Sequence, residues 1–174
     1  MVETRQDLVS EISEETRTEM LERNWLSHDA RWQMAVVESL GWDVGNQLNQ
    51  KVARDEGKTI MLRCMKVLGI SRVVNIQEFR DVMAAIRDLN WSKVMKLNLK
   101  CLSETSILFE ITNCITYNNI VKANATDKYE CGCFALRSGF CDALKLEVSQ
   151  ECKKCLMKGD DKCEIVLTMK NWRK

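Results

Sequence analysis

The sequence predicts an α+β fold, with N-terminal helices packed on a mostly antiparallel sheet and a cysteine-ligated metal site near the C-terminus. Three observations carry that expectation. Apolar residues recur every third or fourth position as far as about residue 90, the period of an amphipathic helix. From Met95 the period drops to two, the period of a half-buried strand. Seven of the nine cysteines then crowd between Cys114 and Cys163.

The elements follow in order. A charged, weakly amphipathic stretch runs from about Ser13 to Asn24. Ser27 is placed to cap a helix through Trp32, Val36 and Leu40, with Gly41 as its stop. Asp43 is placed to cap a longer helix with Val44, Leu48, Val52, Ile60, Met61, Cys64, Met65 and Leu68 on one face, ending at Gly69. Gly57 marks a kink or break within it. Asn75 with Glu78 forms a capping-box-like pattern ahead of Phe79, Val82, Met83, Ile86 and Leu89.

Met95, Leu97, Leu99 and Cys101 then alternate with polar residues, as do Ile107, Phe109 and Ile111, predicting a hairpin. Helical stretches are expected over Ile115–Lys122 and Tyr129–Leu144. A strand is expected through Leu144, Leu146 and Val148, and a last one through Cys163, Ile165, Leu167 and Met169. Residues 1–174 form one domain in this reading, with a helical half over about 10–91 and a sheet and metal-binding half over about 92–174. Trp42 and Trp91, each beside a helix end, are expected as lids on the core.

Composition narrows the function. Hydrophobic residues make up 45% and charged residues 29%, with a formal net charge of +1. Acids and bases are interleaved, so no basic stripe exists to follow a phosphate backbone, and nucleic acid is not an expected partner. No apolar run approaches the roughly 20 residues that cross a bilayer, so no membrane partner is expected either. The charged N-terminus lacks the apolar core of a signal peptide. A cytoplasmic, reducing location follows, in which nine cysteines serve as thiols and not as disulfides.

Cys64 and Cys101 sit among apolar neighbours and read as small core residues. Cys131 and Cys133 form C-x-C, Cys152 and Cys155 form C-x-x-C, and Cys163 follows the turn Lys158-Gly159-Asp160-Asp161. A C-x-x-C pair can bring two thiolates to one ion, about 2.3 Å from zinc. With Cys163 and one thiolate of the 131/133 pair the set becomes tetrahedral and all-sulfur. Such a set suits a structural zinc, and an iron–sulfur cluster is the alternative. Cys141, two helical turns past Cys133, reads as helix packing.

The segment from Cys155 through Gly159-Asp160 to Cys163 resembles the C-x-x-x-G-D-x-x-C signature closing the 4-vinyl-reductase-like domain, and Ser138-Gly139-Phe140 resembles that domain's S-G-aromatic helix. Ligand-sensing modules of aromatic-responsive transcription activators in this superfamily hold a structural zinc. The resemblance therefore implies Cys131 (or Cys133), Cys152, Cys155 and Cys163 as metal ligands, with cysteine at 152 where those modules use glutamate. Most of the remaining chain, including Asn24-Trp25-Leu26-Ser27-His28-Asp29 and Asn113-Cys114, resembles an uncharacterised family of small prokaryotic cytosolic proteins, more distantly related to thiazoline-carboxylate hydrolases. By analogy a homodimer through the N-terminal helices is expected.

Three functions compete. The resemblance implies a binding module for a small apolar or aromatic ligand, a sensor or carrier without an attached effector domain. A small hydrolase or reductase is the second reading, with His28, Asp29 and Cys114 as catalytic candidates: the lone imidazole beside a carboxylate offers acid–base chemistry. Against it, His28 and Asp29 equally read as first-turn helix residues, and all-thiolate zinc has no open position. Thiol redox or metal handling through Cys114, Cys133 and Cys141 is the third.

Overall fold

The structure is a computed structural model, and it describes residues 9–91 and 94–170. Helix α1 (Glu14–Leu68) leads into α2 (Ile76–Asn90), strands β1 (Met95–Cys101) and β2 (Ser106–Cys114), helices α3 (Ile115–Lys122) and α4 (Cys133–Ala143), and strands β3 (Val148–Lys154) and β4 (Cys163–Met169). The four strands form one antiparallel sheet in the order β1-β2-β4-β3. The α+β expectation is met.

Helix α1 begins at Ser13, whose hydroxyl accepts the Thr16 N–H, and runs through Ser27 without a break. The expected second start at Ser27 is therefore corrected: Glu14–Arg17 and Glu19–Arg23 pairs tie successive turns and the ladder simply continues. The interruption falls at Gly41, where φ is 83° and ψ 168°, a conformation that costs only glycine nothing. Gly69, with φ 67°, closes α1, and its N–H returns to the Lys66 and Met65 carbonyls. At the start of α2 the Asn75 side chain accepts the Glu78 N–H while Glu78 accepts the Val74 N–H, as the capping pattern requires.

Gly57 does not kink the helix. A Cβ there would lie 2.1 Å from the Leu136 carbonyl oxygen, and one at Gly139 would lie 2.0 Å from the Arg54 carbonyl oxygen. The two glycines let α1 and α4 cross with their backbones in contact. An Arg54–Asp142 bidentate pair flanks the crossing, at 2.6 and 3.0 Å.

The core lies between these helices and one sheet face. Ile107, Phe109 and Ile111 of β2 stand opposite Leu167, Ile165 and Cys163 of β4. They pack with Met61 and Cys64 of α1, with Ile76, Phe79, Val82, Met83 and Ile86 of α2, and with Phe140 and Cys141 of α4. Cys64 is buried as expected, and half-buried Cys101 packs against the same cluster. Trp91 covers this cluster, and Trp42 covers a smaller one of Ile120, Ala125 and Tyr129.

Two boundaries in the second half differ from expectation. The helix expected from Tyr129 starts only at Cys133, because α1 side chains capture the preceding backbone. Asn46 donates to the Lys128 carbonyl at 2.8 Å and accepts the Glu130 N–H at 3.1 Å, and Gln50 donates to the Cys131 carbonyl at 3.1 Å. The strand expected over Leu144–Val148 starts at Val148, because Lys145 takes φ 56° in a turn that closes α4. A bulge between Cys152 and Lys154 shifts the β3–β4 register by one residue, so Lys154 stands opposite Glu164.

The helix crossing yields a direct test. Gly139→Ala forces a methyl into carbonyl backbone that cannot swing aside, so urea denaturation should show a loss of about 3 kcal/mol or more. Gly132→Ala, which meets only the Asn49 and Ala53 side chains at 3.1 and 3.2 Å, should cost distinctly less. Equal stability of the two variants would refute the backbone contact.

Candidate functional site: a six-thiol cavity

Six of the nine cysteines line one small cavity of about 30 Å³, each brought there by a different local device. Cys114 is the last residue of β2 and the N-cap of α3. Cys131 lies on the loop that Asn46 and Gln50 hold against α1. Cys133 opens α4, Cys152 lies on β3, and Cys163 opens β4.

Cys155 sits at the head of a turn whose signature residues have visible jobs. Gly159 takes φ 90°, the Asp160 carboxylate accepts the Cys155 N–H at 2.7 Å, and the Leu156 N–H points at Cys163 Sγ, 3.3 Å away. Ile111, Ile165, Leu156, Phe134, Tyr117 and Met157 supply the apolar wall.

Both alternatives for the first ligand, Cys131 and Cys133, face this cavity, together with Cys152, Cys155 and Cys163. Cys114 adds a sixth sulfur. Cys152, at the rim, is the exposed member. Cys141 lies elsewhere, fully buried in the main core, where helix packing explains it.

Electrostatics bind the thiols into one system. Cys133 shares its proton with Cys131, which makes Cys131 the first of the pair to ionise, against the burial that opposes it. The same hydrogen bond, burial and the Cys131 charge hold Cys133 far above the ordinary thiol range. Burial pushes Cys163 up to about 12, and Cys155, Cys131 and Cys114 add to the shift. Several thiolates cannot share so small an apolar space without a cation between them.

The sequence reading missed the residue that answers this charge. Arg137, one turn into α4, is only 5% exposed and reaches the same cavity. Its Nε donates to Gln150 Oε1 at 2.8 Å, and its guanidinium carbon lies 4.8 Å from the Phe134 ring centre and 5.6 Å from that of Phe109. Among the described residues its Nη2 has no hydrogen-bond partner. Helical spacing would have placed Arg137 four residues from Cys133, and a lone arginine in the otherwise largely apolar run 134–141 was itself a signal.

The donor chemistry and the volume fit a single soft metal ion: all-sulfur ligation, with room for about one water-sized sphere. Among the described residues, however, no three Cys, His, Asp or Glu side chains are grouped closely enough to hold an ion. The sulfurs line the wall without meeting at the centre, and a metal would have to draw them in.

His28 and Asp29 stand apart from this cavity. Both are exposed on α1, with the His28 ring stacked on Trp25 at 6.3 Å between centres. A second cavity of about 320 Å³ is an open groove lined by Arg87, Asp88, Lys96, Asn98, Glu110 and Thr112 alongside Met95 and Leu97. Neither cavity includes His28 or Asp29.

No protein-family model and no curated protein sequence matches the chain. Its fold is similar to that of trafficking protein particle complex subunit 3 from Naegleria fowleri, solved covalently bound to palmitic acid. The TM-score is 0.60 at 17% identity, over 92% of this chain and 99% of that one. It is similar also to the phenol-responsive sensory domain of the transcription activator PoxR, solved with phenol, with a TM-score of 0.59 at 9% identity over 80% of this chain and 71% of that one. An H-NOX family structure solved to probe heme distortion aligns with a TM-score of 0.51 at 14% identity, over 85% and 73% of the two chains. At these identities the likeness is one of fold. No described helix is long and apolar enough to cross a membrane.

Burial keeps the Cys141 thiol neutral to about pH 12, against an ordinary value of 9.0. A raised folded pKa contributes stability that is complete below 9 and lost between 9 and 12, because there only the unfolded chain has released the proton. Urea midpoints should fall through that window, and Cys141→Ala should make the slope shallower by up to about 1.4 kcal/mol per pH unit. Identical slopes would show that Cys141 does not titrate as the fold implies.

Proposed function

We propose that this chain is a small-molecule-binding domain of the sensor or carrier kind, its C-terminal half held by a structural metal, zinc in the first instance. The observation that carries the metal reading is the convergence of six sulfurs from five separate segments on a cavity of about 30 Å³. That volume is roughly a tenth of an ordinary small-molecule pocket, so it suits an ion and excludes an organic ligand. Cys155 and Cys163, tied by the Gly159–Asp160 turn, with Cys152 and Cys131 or Cys133, would hold the ion. Bound zinc would supply positive charge and a cross-link, with no open coordination position.

The sensor or carrier reading is supported by the fold shared with the phenol-responsive PoxR domain and the palmitate-bound trafficking subunit. We propose a ligand of similar character, apolar or aromatic. It would enter the main core, where Met61, Met83 and Met169 supply side chains that repack readily.

The first half of α1 supports a homodimer. Before Val37 the helix has no buried residue, yet Leu21, Trp25 and Trp32 are 71%, 61% and 67% exposed. A second copy covering these residues would bury the apolar surface that this chain leaves open.

One experiment addresses all three elements. Native mass spectrometry of anaerobically purified protein should show two chains with one zinc per chain, and an added phenol or fatty acid should appear as a stoichiometric mass increment. Cys155→Ser and Cys163→Ser should lose the zinc. A folded, metal-free wild-type protein would overturn the metal reading, and visible sulfur-to-iron absorbance would replace zinc with an iron–sulfur cluster. Failure to retain any apolar ligand would remove the sensor or carrier reading.

A further inference from the structure

We infer that Arg137 is the built-in counter-ion of the metal–thiolate set, its free Nη2 N–H reserved for a ligating sulfur. The inference rests on the metal reading of the same cavity and assigns a role to a residue outside the ligand set.

A buried, singly charged group is costly unless it meets an opposite charge. Arg137 is 5% exposed, and its Nε hydrogen bond goes to the neutral amide of Gln150. Its surroundings stabilise the cation while leaving N–H donors unused. Phe134 and Phe109 offer ring faces, which attract the guanidinium without consuming a donor. Gln150 takes only Nε, and is itself fixed, since its amide nitrogen donates to the Phe134 carbonyl and to Ser138 Oγ, each at 2.9 Å. The guanidinium is thereby held with Nη2 unsatisfied, on a side chain that lines the same cavity as the six sulfurs. An orphaned, buried donor held in such a place is accounted for by a metal-bound sulfur as its acceptor.

The charge arithmetic agrees. Four thiolates around a divalent ion carry −2 in total, and one guanidinium reduces this to −1. An N–H bond to a thiolate also lowers the basicity of that sulfur, so the site loses its protons to the metal more readily. A surface lysine could not substitute, because the space between two rings selects a flat cation.

The test is zinc affinity, measured by competition with a chromophoric chelator on the full chain under reducing conditions. Arg137→Met should weaken binding by about 10- to 100-fold, the usual effect of losing an outer-sphere partner, and Arg137→Lys should fall between. Wild-type affinity in Arg137→Met overturns the inference while leaving the metal reading intact. A wild-type protein that takes up no zinc defeats the metal reading first.

Should Arg137→Met fail to fold, Arg137→Gln is compared in the wild type and in a Cys152→His background. There, imidazole removes one negative charge from the set while preserving a zinc ligand. If Arg137 offsets thiolate charge, the glutamine variant should lose several-fold less affinity in that background than in the wild type. Equal losses in both backgrounds would mark a purely structural arginine and overturn the proposal.

Discussion

The whole arrangement hangs on one backbone-to-backbone contact. Where α1 passes α4, Gly57 lies on the Leu136 carbonyl and Gly139 on the Arg54 carbonyl, with no space for a methyl on either side. That crossing fixes how α4 enters the molecule. The same face of α1, one and two turns earlier, offers Asn46, Asn49 and Gln50 to the backbone and side chains of 128–131. Cys131, Cys133 and Arg137 are therefore positioned against the sheet by α1, although the sheet provides the remaining sulfurs. A long helix that is only lightly buried over its first half thus has a second half that organises the chemistry.

The cavity shows two opposed kinds of charge held in one apolar enclosure. Burial and neighbouring sulfurs raise the proton affinity of Cys133 and Cys163 there, while Cys131, helped by the Cys133 hydrogen bond and the Arg137 charge, goes the other way. Left alone, such a space favours neutral sulfur. A divalent ion, as proposed, would change the balance, since it would stabilise several thiolates at once and give the guanidinium an anion to face. The fold shared with a phenol-responsive domain and a palmitate-bound subunit says nothing of this chemistry by itself. It is the side chains that distinguish this chain.

Periodicity made most of the fold legible. The change from a helical to an alternating pattern at Met95 located the hairpin, and β2 and β4 bury the alternating residues expected of them. The Asn75–Glu78 cap and the Gly41 and Gly69 interruptions were readable because each is local chemistry. Long-range effects were not. Gly57 reads as a weak point in a helix and is instead a place of contact. The start of α4 is delayed by amides some 80 residues away. The cysteines announced themselves by spacing, but Arg137 did not, because nothing along the chain shows two phenylalanine rings from different elements closing over it.

The bulge in β3 carries a last implication. In a straight antiparallel ladder with Cys152 opposite Ile165, Lys154 would face Cys163. The extra residue puts Lys154 opposite Glu164 instead, so Cys155 follows the strand one residue later than an even ladder would have it. One of the two residues between Cys152 and Cys155 is thus taken up by the bulge. Cysteine spacing and strand pairing are therefore coupled here, because removing the bulged residue would also shorten the C-x-x-C spacing by one.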